Sequence, residues 1–321
     1  MNNLLIGLLG AWMSTNQPAA LSNLVAVSTG LAIRVGDPND PVEQQLAKLM
    51  ADDNAAQEEV DQWIKDNDAF AAKGAGITRG ALNRRILDRF APIRQRYEEF
   101  IRLHPGHPKA RVAFASFLGD LNDEDGAQEQ LEKAVALNEK DPAIFNNLAN
   151  IYAHNGSVTN AFEYYARASE LSPAEPLYYH NLGNAVFLFR KDAMEYYHIT
   201  EQEVFTKALE LLHRALERDP ENFPLATDVA QTYYGVKPPR TDESLGAWTN
   251  ALSLAHDQIE REGTYIHLAR VKISAGRFVE ARAHLDAVTL PMYDDLKRRV
   301  GRSLSDKESG KGATNGAPAG N

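Results

Sequence analysis

Two stretches of this chain repeat one another at a spacing of 34 residues. The segment PAIFNNLANIYAHNGSVTNAFEYYARASELSPAE opens at Pro142, and PLYYHNLGNAVF opens at Pro176. A fixed period of this length constrains the fold more than composition does, because each copy can bury its apolar face only against the next copy. Within the first copy, Phe145, Leu148, Ala149 and Tyr152 fall at positions 4, 7, 8 and 11. Those offsets line one face of a helix. Ala161, Tyr165 and Ala168, at positions 20, 24 and 27, do the same for a second helix, which Pro173 ends. Small residues at 8, 20 and 27 let the two helices approach, and bulky ones at 4, 7, 11 and 24 fill the space between. Gly156 is placed to leave the first helix through a left-handed turn.

The register extends both ways. Pro108 opens a unit with Phe114, Ala115, Leu118, Ala127, Leu131 and Ala134 at the key positions, although Arg111 stands where an aromatic is expected. Ile93, Tyr97, Phe100 and Pro105 fall in register as the second helix of a degenerate preceding unit, whose first helix is not recognisable. Tyr179, Leu182 and Gly183 open a unit completed by Ala208, Leu212, Ala215 and Pro220, but only after an insertion of 13 residues. A weaker unit holds Phe223, Ala230 and Tyr233; a clearer one holds Tyr265, Leu268, Ala269, Gly276, Phe278, Ala281 and Leu285.

This pattern resembles the tetratricopeptide-repeat (TPR) family. The resemblance implies an all-α fold, a right-handed superhelical solenoid of about five helix-turn-helix units, more than the three or so such an array needs. The expected organisation is an apolar N-terminal segment over 1–33, a helical N-terminal region or cap over 34–90, the array over 91–300 with its insertion near 189–201, and a disordered tail over 301–321.

Composition adds exclusions. The net charge of -10 gives no general attraction to nucleic acid. With no cysteine, disulfides, thiolate metal sites and cysteine nucleophiles are out, but the compartment is not fixed. No charged side chain precedes Arg34, and Leu4 to Met13 is an apolar run of signal-peptide length. No Lys or Arg comes before it, and Ser14 to Pro18 interrupt it short of a membrane span. Export or membrane tethering and a cytoplasmic location with a packed N-terminal helix therefore both stay open. The sequence sets no oligomeric state.

The resemblance also implies which side chains meet a partner. In this family the first helices line a concave groove, and here the groove positions carry Asn146, Asn147, Asn150 and His154, then His180, Asn181, Asn184 and Phe187. Asparagines at positions 6 and 9 of successive units resemble the asparagine ladder of peptide-binding members; a side-chain amide offers a donor and an acceptor to a peptide backbone. The alternative is that these asparagines bond only to their neighbours. The carboxylate clamp of the chaperone-tail-binding members is not matched. Counted from Pro108 its positions hold Val112, Ser116, Asn147, Leu177 and Asn181, and counted from Pro142 they hold Asn146, Asn150, Asn181, Pro224 and Asp228, so its cations are missing.

The insertion brings Arg190, Tyr196, Tyr197 and His198, residue types that interfaces favour. They form a candidate interface or, alternatively, pack on their own neighbours. Arg79, Arg84, Arg85, Arg89, Arg94, Arg96 and Arg102 form a run interleaved with acids, read as a solvated helix face or, alternatively, as a basic stripe for an acidic partner. No catalytic or metal-ligand motif is present, and no cofactor is expected. The expected function is a non-enzymatic scaffold or adaptor that binds a protein or peptide in the groove. The alternatives are a periplasmic or membrane-tethered assembly factor, or a small-ligand binder or enzyme built on the histidines and the tyrosine-rich insertion.

Overall fold

The computed structural model describes residues 39–138 and 140–310. The N-terminal segment 1–33, and with it the question of export or anchoring, lies outside those residues, as does the tail beyond Gly310. Among the described residues the chain is all-α, with fourteen α-helices, two short 3-10 turns and no strand. No described helix is long and apolar enough to cross a membrane. The chain forms two compact units, one ending at Pro173 and the other starting at Ala174.

The first unit opens with α1 (Pro41–Ala71) and α2 (Arg79–Leu103). They run antiparallel: Arg85 lies 3.7 Å from the Trp63 ring centroid, Arg89 pairs with Glu59 at 2.8 Å and Arg96 with Asp52 at 2.8 Å. Much of the arginine run thus ties α2 to α1. α2 carries the residues that fall in register as a second helix, and α1, with few buried apolar side chains, carries no repeat pattern.

Two regular pairs follow, α3 (Pro108–Asp120) with α4 (Glu124–Leu137), and α5 (Pro142–His154) with α6 (Val158–Leu171). Pro108 and Pro142 stand at the first helical position, where a missing N–H is harmless. Asp123 and Asp141 cap their helices by accepting from Gly126 N and Ala143 N. Ala127, Ala134, Ala149, Ala161 and Ala168, at the small-residue positions, are buried between helices. Arg111 replaces the expected aromatic by bridging, donating to Gln130 Oε1 at 2.9 Å and to the Pro105 carbonyl at 3.0 Å. The chain leaves the first helix at position 15 in left-handed geometry, with φ 57° at Asn122 and 87° at Gly156.

In the second unit α7 (Pro176–Leu188) pairs with α9 (Glu201–Leu216), and the insertion forms a separate short helix, α8 (Arg190–Tyr197). Gly183 sets the α7–α9 distance: a Cβ there would lie 2.9 Å from Leu212 Cγ. Then come α10 (Phe223–Thr232), α11 (Thr241–Leu254), α12 (Gln258–Ser274), α13 (Phe278–Asp286) and α14 (Asp294–Glu308). Trp248 is fully buried among Phe223, Ala226, Ala230, Leu268 and Val271. The expected disordered tail over 301–321 is corrected at its start, because α14 continues to Glu308 and buries Val300 and Leu304. Those two side chains, four positions apart, fall on one helical face within a largely charged stretch, too sparse a pattern to read beside Gly and Ser.

Glu262, only 3 % exposed, anchors the far end of the second unit. It accepts from Thr289 N, Leu290 N, Thr289 Oγ1 and Gln258 Nε2 at 2.7 to 2.8 Å, fixing the loop after α13 to α12.

Candidate functional site

In the first unit the α1–α2 hairpin faces the first helices α3 and α5 across an open cleft of about 720 Å³. Val60 and Ile64 of α1, Ile86 and Leu87 of α2, and Val112 and Ile151 of α3 and α5 make its walls apolar. Leu87 is 61 % exposed, so part of this apolar surface meets water.

Four sequence-predicted residues lie on α5 at or near this cleft, and their states differ. Asn146 is fully buried and does not line it. Asn150 lines it, but its Oδ1 accepts from the Tyr165 hydroxyl at 2.5 Å. His154 Nδ1 lies 2.7 Å from Glu124 Oε1 at the rim. Asn147 lines the cleft, is 6 % exposed, and neither its Nδ2 nor its Oδ1 has a hydrogen-bond partner. Leaving a buried amide unsatisfied costs about 1–3 kcal/mol, which the packing of Phe145, Leu148 and Tyr152 on the same helix must offset.

Acids mark the α1–α3 side of the cleft. Asp53, 5 % exposed, accepts from the Tyr97 hydroxyl at 2.9 Å and from Gln57 Nε2 at 3.0 Å, and burial holds its carboxyl above the ordinary range. Asp120 reaches solvent at the rim. Burial of its carboxyl on the cleft side, then the negative charges of Asp53 and Asp61, push it up to about 6 against an opposing Gln57 hydrogen bond. This acidic side was not read from the sequence, because Asp53 and Asp61 belong to the helix that carries no repeat.

In the second unit the predicted groove residues of α7 engage one another and α10. His180 Nε2 lies 2.6 Å from Asp228 Oδ2, and Asn184 Nδ2 donates to the same oxygen at 2.9 Å while lying 3.0 Å from His180 Nε2. Asn181 is half-buried. Asp228 is the member that sequence reasoning missed as a partner; it occupies the repeat position where a clamp would carry a cation, and that inverted charge was the available signal. Phe187 packs on Phe205 at 6.0 Å between ring centroids, and the Arg190 guanidinium lies 5.5 and 5.7 Å from the two rings.

The insertion is likewise tied to its own unit. Arg190 Nη1 donates to the Phe187 carbonyl at 3.0 Å. Lys207 Nζ sits 4.1 Å from the Tyr197 ring centroid, Tyr196 meets Tyr197 edge-on, and burial raises the Tyr197 hydroxyl above its ordinary value. His198 is exposed and ends α8 in left-handed geometry, φ 55°. Among the described residues no group of His, Asp and Glu is arranged to hold a metal ion.

A family model of the tetratricopeptide repeat matches residues 112–176, from α3 to the start of α7. Over 135 residues the chain is 29 % identical to the cellulose synthase operon protein C of Pseudomonas fluorescens (strain SBW25), covering 42 % of this chain and 10 % of that protein. The match therefore spans about a tenth of that relative's length. Among solved structures, the fold is similar to YrrB, described as a TPR protein with an unusual peptide-binding site, at 14 % identity over 66 % of this chain and 97 % of that one, TM-score 0.50. It is also similar to Pseudomonas aeruginosa PilF, at 14 % identity over 80 % of this chain and 99 % of that one, TM-score 0.50.

Proposed function

We propose that this chain, a tetratricopeptide-repeat protein, is a non-enzymatic scaffold that holds a polypeptide segment, as a peptide or a partner helix, in the cleft of its first unit. Its fold is one of protein-interaction scaffolds in general. The observation that carries the narrower reading is Asn147, a residue of the cleft lining whose buried amide donor and acceptor both lack partners. Buried polar atoms are nearly always satisfied, so an exception calls for an explanation. A polypeptide backbone offers both complementary groups.

Apolar walls supply binding free energy at about 25 cal/mol per Å² removed from water, and the amide adds orientation more than affinity. The His180–Asn184–Asp228 cluster is a weaker candidate, since its polar atoms already satisfy one another.

The chain has no cysteine, so a single introduced thiol reports from one place. Ser116→Cys, on the cleft wall, and Lys133→Cys, on the exposed side of α4, are each loaded with a photo-crosslinker in extract of the source cells. A polypeptide adduct from Ser116→Cys that Lys133→Cys does not give is expected. No adduct, or equal adducts from both, would contradict the cleft reading.

A further inference from the structure

The residues lining the cleft include three acids, Asp61, Asp120 and Glu124, and no lysine or arginine among the described residues. Glu124 is paired with His154. Asp61 and Asp120 are in no ion pair with a described Lys, Arg or His, and Asp53 stands behind them, committed to Tyr97 and Gln57. Next to this acidic side are the apolar surfaces of Ile64 and Leu87, and Asn147 with both amide atoms unsatisfied. An occupant complementary to all three features has an accessible backbone, a bulky apolar side chain and a positive charge.

We propose that the cleft selects polypeptide segments carrying a lysine or arginine beside bulky apolar residues, with the cation held at Asp61 and Asp120 and the backbone paired to Asn147. This rests on the reading of the cleft as a polypeptide site and adds the chemical class of its occupant. The electrostatics support it independently of the apolar walls. Like charges close together in a partly desolvated site disfavour one another's ionisation, and burial with the charges of Asp53 and Asp61 already lifts Asp120. A guanidinium or ammonium entering there is attracted by these carboxyls and favours the ionised form of Asp120. An acidic occupant meets the same field with the opposite sign, so charge sets which segments are rejected as well as which are held.

The test uses the full chain and a phage-displayed library of random 12-residue peptides. Selection is run on the wild type, on Asp61→Asn with Asp120→Asn, and on Asn147→Ala, each checked for native helical circular dichroism. Selected wild-type binders are expected to be rich in Lys or Arg next to Leu, Ile, Phe or Trp. Their affinity should fall about tenfold on the double Asn variant, the scale of a lost charge-assisted contact, and should also fall on Asn147→Ala. Binders that depend on Asn147 but are neutral or acidic would overturn the charge selection and leave the cleft reading standing. Binders indifferent to Asn147, or no binders at all, would overturn both.

Discussion

The Tyr165 hydroxyl of α6 donates to Asn150 Oδ1 at 2.5 Å, so of the two asparagines at ladder positions 6 and 9 of α5 one is engaged inside the repeat and the other, Asn147, is left without a partner. The two share a repeat and a chemistry. What separates them is the second helix, whose position 24 reaches back to position 9 and not to position 6. The Tyr165–Asn150 bond is a structural clasp within the pair, and the Asn147 amide takes no part in it.

Tyr165→Phe therefore tests the clasp apart from binding. It removes one partly buried hydrogen bond and should cost about 1 kcal/mol of stability, read as a lower urea midpoint at unchanged slope. Peptide affinity for the cleft should stay the same, because the clasp does not involve Asn147. A large loss of affinity would show that Asn150 positions the site through Tyr165.

Glu262 sets an acid limit on the second unit. Burial alone would raise its carboxyl, but the Leu290 N–H, the Gln258 amide and the two donors of Thr289 outweigh burial and hold it down at about 2. A carboxyl depressed in the folded state stabilises fully above its unfolded value and loses that contribution as pH falls toward the folded one. The wild type should lose stability between about pH 4.5 and 2, and Glu262→Ala should lack that part of the slope. At pH 7 the variant should be about 2–4 kcal/mol less stable, because two backbone donors lose their acceptor. Equal acid slopes in denaturant titrations would refute this.

His267 acts in a higher window. Its ring stacks on Trp248 at 4.2 Å, with Nδ1 3.0 Å from the Tyr234 hydroxyl. Burial first, then the charge of Arg270, push it down to about 3. It stays neutral in the folded state while the unfolded chain takes up a proton below about pH 6.5, so stability falls as pH drops from 6.5 toward 3. Going from pH 7 to 5 should cost the wild type about 2 kcal/mol through this residue, and His267→Phe should remove that loss. An identical pH 7 to 5 difference in both proteins, measured by guanidinium unfolding, would contradict it.

The repeat made much of the fold legible. The 34-residue period placed the starts of α3, α5 and α7 at Pro108, Pro142 and Pro176, the left-handed exit at Gly156, and the buried alanines between helices. These are local or nearest-neighbour requirements, which a periodic sequence must state in every copy. The α1 wall of the cleft was not legible, because a helix that occurs once need satisfy no pattern. Which groove asparagine is engaged was also hidden. Tyr165 lies 15 residues from Asn150 and Asp228 lies 44 from Asn184, and no period encodes such pairings. The insertion reads as packing more than as an interface, but its contacts of Tyr197 with Lys207 and of Arg190 with Phe205 join residues that no repeat position pairs.

On the proposed reading, Asn147 is kept polar for a ligand and not for the fold. Asn147→Leu tests it most directly, with thermal melting of the free protein and affinity for peptides selected on the wild type measured on one preparation. Replacing an unsatisfied buried amide by an apolar group of similar size should leave the melting temperature unchanged or raise it. Peptide affinity should meanwhile fall about tenfold or more, as expected when a ligand's polar groups are left unpaired. A lowered melting temperature with unchanged affinity would contradict the account, and would make Asn147 a structural residue.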